Sequence, residues 1–272
     1  VDYQTFTPQL DLEALISCYW TLKIPADPAA EKQCIVPDGT IEMAFILGDD
    51  IQRFTNTKDF ILQPRAMVLG PTVDPFYIQP TGRVDTFAIR FYPYGFANFT
   101  NVALKSLANK ETPLEQIFDK TKAGVLEQNI IQASSTAQRI SIVENFLLEI
   151  LKEQATIDTI VKSTVELLIS SKGGRPIHTI LKDVAGNRRQ LERKFAQQIG
   201  LSPKQLSKVI RLQTALKLLL TPTPDSLTNI AYASDYYDQS HFIKDFKEFT
   251  GTNPNAFLED KSLSLSALFY QQ

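Results

Sequence analysis

Two rhythms divide this chain. Up to about residue 92, apolar residues recur at every second position in short runs, and Gly, Pro, Asp and Asn punctuate them. The runs 15–24, 41–47, 60–62, 67–69, 76–79 and 85–92 are rich in β-branched and aromatic residues and predict strands. Ile41, Met43, Phe45 and Leu47 keep a period of two, as do Phe87, Ile89 and Phe91, so a compact all-β sandwich or barrel is expected. From Gly95 to about Lys152 the spacing becomes helical, with Ile142, Phe146 and Ile150 forming a stripe. Such a helix closes the β-domain, joins it to the helical half, or pairs with a second copy.

Beyond residue 155 the pattern predicts short helices meeting at tight turns. Leu227, Ile230 and Ala231 write one helix, with Asp225 or Ser226 free to cap it. Asp235 falls where the turn needs a left-handed backbone, which Asp tolerates better than most residues. Asp238 suits the N-cap of a second helix whose buried stripe is Phe242, Phe246 and Phe249, leaving Ser240 and Lys244 to face away from the core. Together these make a helix-turn-helix, the usual device for laying one helix in a DNA major groove. A similar unit precedes it. There Ala185 and Gly186 supply the turn, Asn187 with Gln190 forms a capping box, and Leu191, Phe195 and Ile199 face inward. Arg189, Glu192, Arg193 and Ala196 lie on the opposite face.

The region from about 157 to 259 resembles the DNA-binding domain of the arabinose-regulator (AraC/XylS) family of bacterial transcription factors. The resemblance rests on Asn187-Arg-Arg-Gln-Leu-Glu-Arg-Lys-Phe195, Gly200-Leu-Ser-Pro203, Arg211-Leu-Gln-Thr-Ala215, Ile230-Ala231, Asp238-Gln-Ser-His-Phe242, Phe246-Lys247 and Gly251-Thr-Asn-Pro254. Two tandem units, each closed by Gly-x-x-Pro and joined by a helix from Pro203 to Leu220, make it specific. It implies an α+β chain of two domains: a β-rich, cupin-like sensor with a helical connector over 1–152, an all-α tandem helix-turn-helix domain over 153–260, and a tail over 261–272. It also implies two recognition helices entering successive major grooves, about 34–36 Å apart. Arg188, Arg189, Glu192 and Arg193 then face DNA from the first unit, and Gln239, Ser240, His241 and Lys244 from the second. Two positions depart from the family: Asp235 replaces the usual Gly, placing a negative charge near the DNA, and Leu181 replaces a usual Ala. Duplex DNA is the implied partner, with a small-molecule effector, a second copy of the chain and RNA polymerase as further ones.

Charge separates the two units. Arg175 to Lys217 contains 10 Lys or Arg residues against Asp183 and Glu192, whereas Thr221 to Asp260 has only Lys244 and Lys247 against seven carboxylates. Phosphate attraction is therefore expected mainly from the first unit. The alternative reading of Arg188, Arg189 and Lys194 is a solvated helix face. The alternative for the chain is an oligomerisation or interaction module whose acidic second unit grips DNA weakly. Net charge is -2, but residues 1–154 are acidic and residues 155–272 basic.

In the β-rich half, Val36-Pro-Asp-Gly39 with Glu42, Pro80-Thr-Gly-Arg83 and Arg90-Phe-Tyr-Pro-Tyr-Gly95 are similar to a common variety of the family's sensor, although each Pro/Gly motif is first of all a turn. Glu42 and Arg90 interrupt apolar strands and are the candidate ligand-binding residues. Alternation favours an outward Glu42; a lumen-facing Arg90 needs a partner carboxylate or an anionic effector. Metal catalysis on such a barrel needs a His-rich ligand set, and the chain's two histidines, His178 and His241, both lie in the helical half. No Gly-x-Ser-x-Gly element, phosphate loop or zinc cysteine cluster occurs, so neither an enzyme nor a cofactor is expected. Cys18 and Cys34 read as reduced core thiols. No run approaches the roughly 18 apolar residues of a membrane span, and a cytoplasmic protein is expected.

Overall fold

The computed structural model describes residues 1–272 except 56–57, 152–157, 185–186 and 271–272. The Ala185–Gly186 turn and the expected domain boundary at 152/153 therefore lie outside the described residues.

The first half folds into strands β1 (Asp2–Phe6), β2 (Ile16–Ile24), β3 (Gln33–Ile35), β4 (Ile41–Ile46), β5 (Ile51–Phe54), β6 (Phe60–Leu62), β7 (Ala66–Leu69), β8 (Phe76–Pro80), β9 (Val84–Phe91) and β10 (Glu111–Pro113). Six of them form an antiparallel sheet in the order β1-β2-β9-β4-β7-β10, and four form a second in the order β3-β8-β5-β6. The strands absent from the sequence reading, β1, β3, β5 and β10, are short and polar or lie at sheet edges, so no apolar alternation marks them. The stretch expected to be helical from Gly95 instead passes through three 3-10 turns and β10 before helices α1 (Lys120–Gln132) and α2 (Thr136–Ile150) begin. Asp119 and Ser135 cap these two helices, accepting from the Lys122 and Gln138 amides.

The larger sheet is covered on both faces. One face carries Ile41, Met43, Phe45, Phe87, Ile89 and Phe91 and packs with Leu126, Ile130, Val143, Phe146 and Leu147 of α1 and α2. The buried stripe of α2 is thus centred on Val143, Phe146 and Leu147, with Ile142 and Ile150 at its margins. The other face, with Trp20, Leu22, Ala44, Ile46, Met67 and Ala88, looks into the lumen. That second cover overturns the outward placement of Glu42: the face opposite the aromatic stripe meets the lumen, not water. Register agrees, because Glu42 and Cys18 both pair with Arg90 across neighbouring strands.

The second half comprises α3 (Thr159–Ser170), α4 (Ile177–Asp183), α5 (Arg188–Gln198), α6 (Pro203–Leu219), α7 (Leu227–Ala233), α8 (Gln239–Thr250), α9 (Pro254–Glu259) and α10 (Ser264–Tyr270). It has two small cores. Val161, Val165, Leu168, Ile180, Leu191, Phe195 and Ile199 gather around Leu206 of α6; Ile230, Ala231, Phe242, Phe246, Phe249 and Phe257 gather around Val209, Leu212 and Leu216 of the same helix. So α6 is the spine of both units. Its start is fixed by a reciprocal box between Ser202 and Gln205, with Pro203 in the first turn where its missing N–H costs nothing. The expected box at α5 does not form: Asn187 caps alone, accepting from the Arg189 amide.

The β-domain and the helical half share packing. Cys34 and Val36 lie in the second core beside Leu212 and Phe246. In the turn between them and β4, Gly39 adopts φ +69 and lies so close to α6 that a Cβ would come within 3.1 Å of Val209 Cγ1. Gln213 of α6 donates to the Asp38 carbonyl. Among the described residues no helix is long and apolar enough to cross a membrane.

Candidate nucleic-acid interface and apolar cavity

In the second unit the local chemistry builds a helix-turn-helix. Ser226 caps α7 by accepting from the Asn229 amide, and Asp238 caps α8 by accepting from the His241 amide at 2.7 Å. Asp235 has φ 59, the left-handed conformation expected of it. Its side chain lies over Gly174, where a Cβ would clash with the Asp235 carboxylate, so it leans on the α3–α4 connection instead of projecting from the turn. Gly251, also left-handed, closes α8. In the first unit Leu181 is partly buried against the α3–α5 core.

The candidate readers divide by what they already touch. Arg188, Arg189 and Arg193 are exposed on α5 and form no ion pair among the described residues; Glu192 is half-buried between them. Lys194, by contrast, is tied to Asp158 at the start of α3. On α8, Ser240 and Lys244 are exposed. Gln239 is half-buried and accepts from the Thr228 hydroxyl at 2.6 Å. His241 packs edge-on against Tyr236, with ring centroids 5.3 Å apart, and its Nε2 lies 3.7 Å from the Asp245 carboxylate. His178 is exposed on α4.

Several carboxylates of the second unit have structural partners, although only Asp245 is buried. Asp245, only 3% exposed, meets Lys208 at 3.3 Å and Arg211 at 3.9 Å, both from α6, and Glu248 meets Lys208 at 3.2 Å. Asp225, Asp238 and Asp260 bond backbone amides at element starts. Asp245 and Glu248 thus hold α8 on its spine, a role the charge count alone does not show.

Between the two sheets lies an apolar cavity of about 670 Å³, lined by Trp20, Leu22, Ala44, Ile46, Met67 and Ile78 among others. At its end Glu42 Oε1 accepts from Arg90 Nε at 2.7 Å and from Trp20 Nε1 at 3.2 Å. Asp38 Oδ2 stands 4.0 Å from the same guanidinium nitrogen. Burial pushes the Glu42 carboxyl above the usual carboxylate range while Arg90 pulls it back. Burial alone would lower Arg90, but Glu42 and Asp38 outweigh it and hold the guanidinium charged. Arg90 thus has its partner carboxylate within the chain. A second polar cluster, touching the cavity wall through Phe76 and Gln63, is not marked in the sequence: Arg53 lies over the Phe76 ring at 3.7 Å and its Nε stands 3.4 Å from Glu111 Oε1, which also accepts from Gln63 Nε2 at 2.7 Å. Nothing local marks Glu111, since its partner comes from β5, far earlier in the sequence. Burial raises the Cys34 thiol to about 11 and also raises Cys18, so both remain protonated near neutrality.

Comparison with known proteins bears on each half separately. Residues 180–260 match the family described as a helix-turn-helix domain, and residues 4–113 match a domain of unknown function, DUF6597. The chain is similar to the HTH-type transcriptional regulator MtrA of Neisseria gonorrhoeae, 38% identical over 74 residues, or 27% of this chain and 24% of that protein. It is also similar to an uncharacterized HTH-type transcriptional regulator of Haemophilus influenzae, 26% identical over 160 residues, 56% of this chain and 53% of that one. The matches thus span about a quarter and about half of the length of these relatives. The fold is like that of ToxT from Vibrio cholerae, with a TM-score of 0.52 at 14% identity over 90% of this chain and 99% of that chain.

Proposed function

We propose that the protein is a one-component transcriptional regulator of the AraC type that binds promoter DNA sequence-specifically and reads a small molecule in its β-domain, a reading supported by the helix-turn-helix match over residues 180–260. The observation that carries the reading is the arrangement on α6: one spine holds α5, with three exposed arginines that form no ion pair among the described residues, and α8 with outward Ser240 and Lys244. Arg189 and Arg193 are suited to grip guanine O6 and N7, Glu192 to accept from cytosine N4, and Arg188 to neutralise phosphate. Ser240 and Lys244 are the direct contacts of α8. Gln239 and His241 act from the start of that helix, where Thr228 and Tyr236 fix their side chains.

The first unit anchors and the second adjusts. The effector is a largely apolar small molecule, since the cavity falls within the about 300–1,000 Å³ of ordinary ligand sites and Trp20, Leu22, Ala44, Ile46, Met67 and Ile78 line it. Glu42 and Arg90 offer it the carboxylate oxygen and guanidinium N–H groups left over from their own pair. Effector binding shifts the population between reader arrangements through the shared packing of Cys34, Val36 and α6.

Fluorescence anisotropy with pooled genomic fragments at two salt concentrations tests the reading. Steep salt dependence with sequence preference is expected, and Arg188→Ala should flatten the slope of log affinity against log salt by about 0.9. Arg193→Ala should abolish specific binding, whereas Lys244→Ala should weaken it by less than the ~1–3 kcal/mol of a full bidentate base contact. The reverse ranking removes the division of labour. Weak binding without salt dependence favours an interaction module.

A further inference from the structure

The helix α10 has two apolar faces turned to two different parts of the molecule. Leu265 and Phe269, four residues apart and so on one face, join the lumen cluster with Trp20, Ala44, Ile46 and Met67. The Phe269 ring lies 5.7 Å from that of Trp20 and 5.4 Å from that of Tyr3. Tyr270, with Leu263 from the preceding turn, sits instead in the second reader core beside Val36, Leu212 and Phe246.

The seam between helix and sheet is polar along β3: Gln33 donates to the Lys261 carbonyl at 3.3 Å and accepts from the Ser264 hydroxyl at 2.8 Å and the Leu265 amide at 3.3 Å. β3 is the free edge of its sheet. There the Ser266 hydroxyl donates to the Cys34 carbonyl at 2.8 Å and accepts from the Val36 amide at 3.0 Å, standing where a neighbouring strand would. The Tyr270 hydroxyl donates to the Pro37 carbonyl at 2.7 Å, next to the turn that carries Asp38 and Gly39.

We propose that α10 is a displaceable latch, a cis occupant of the cavity mouth that competes with an apolar ligand for the surface around Trp20. The inference rests on the β-domain being a ligand sensor and names how that sensor is coupled. Leu265 and Phe269 form part of the wall of the 670 Å³ cavity, so a ligand filling the mouth and these two side chains use the same apolar surface. A helix of seven residues has no stability of its own in water, so displacing Leu265 and Phe269 removes one of the two apolar contacts that keep it folded. Its release also withdraws Tyr270 from the reader core and from Pro37, which loosens the β3 edge from α6 and α8. Ligand affinity is reduced by the fraction of molecules latched, so weakening the latch raises it.

Trp20 is the chain's single tryptophan, and its emission reports on Phe269 directly. The full chain is titrated with the apolar fluorescent anion 8-anilinonaphthalene-1-sulfonate, comparing wild type with Leu265→Ala/Phe269→Ala and with Ser266→Ala. The double variant should bind the probe about tenfold more tightly, with Trp20 emission shifted to the red before any probe is added. Ser266→Ala keeps both apolar faces and should tighten binding about two- to threefold, which preserves the test if the double variant fails to fold. In wild type, saturating probe should speed amide hydrogen exchange in 261–270 while α1 and α2 keep their protection. Probe affinity unchanged or weakened in Ser266→Ala, or exchange in 261–270 unaltered by probe, overturns the latch and makes α10 a fixed wall. DNA affinity measured on the same proteins separates the two ideas: absence of DNA binding in wild type removes the regulator reading alone.

Discussion

Glu42 and Arg90 show how much one pair can decide at the scale of single residues. Both are largely shielded, and the Trp20 indole N–H and Asp38 complete the neighbourhood. Removing one partner of such a pair strands the other charge, which costs about 3–5 kcal/mol, whereas replacing both by apolar groups is often neutral. Arg90→Met should therefore destabilise the protein by about 3 kcal/mol in urea melts, and Glu42→Leu/Arg90→Met should recover most of that loss. Equal losses in the single and double variants would show that the pair is not coupled. The same residues mark a limit of reading sequence. Alternation located Glu42 on the face opposite Met43 and Phe45, but that this face meets a second sheet depends in part on β3 and β5, which are too short and polar to announce themselves. The turn chemistry of Asp235 and the cap at Asp238 were legible because each is decided by the chain's own next few atoms.

At the scale of elements, the helices of the reader are held at their ends as much as by their stripes. Asp158 accepts from the Ile160 and Val161 amides at the start of α3 and also meets Lys194 of α5, so one carboxylate caps one helix and docks another. Partial burial raises the Asp158 pKa, but Lys194 and the two amides outweigh it, and the net shift is downward. A carboxyl held below its unfolded value contributes stability that is complete above the ordinary Asp pKa of about 3.9 and is lost as pH falls through the folded value. The wild type should thus lose more thermal stability than Asp158→Ala between about pH 5 and pH 3, while at pH 7 the substitution should cost about 1 kcal/mol. Parallel melting curves over that range would show that Asp158 makes no titrating contribution. Caps of this kind are readable in sequence, as at Ser226 and Asn187, whereas the Lys194 partner is not, because it comes from 36 positions away. Likewise the charge count assigned an acidic surface to the second unit, and packing turned Asp245 into an internal brace for α8.

For the whole molecule, the decisive fact is that the β-domain and the reader are not joined by chain alone. Cys34 and Val36 are built into the same core as Phe242, Phe246 and Phe249, Gly39 lets the sheet edge approach α6, and α10 reaches into both halves. Two domains connected only by a linker unfold in separate steps, while domains that share a core lose it together. Trp20 sits on the large sheet and meets the helical half through Phe269 of α10, whereas the far-ultraviolet circular dichroism is dominated by the reader helices, so the two signals weight different halves. Their urea transitions should coincide in wild type. Gly39→Val places a branched side chain where even a Cβ stands 3.1 Å from Val209 and forces it into a left-handed backbone. That variant should separate the transitions, with the reader signal moving to lower urea. Two distinct midpoints in wild type would mean that the shared core carries no cooperativity, and would leave cavity occupancy without a route to the recognition helices.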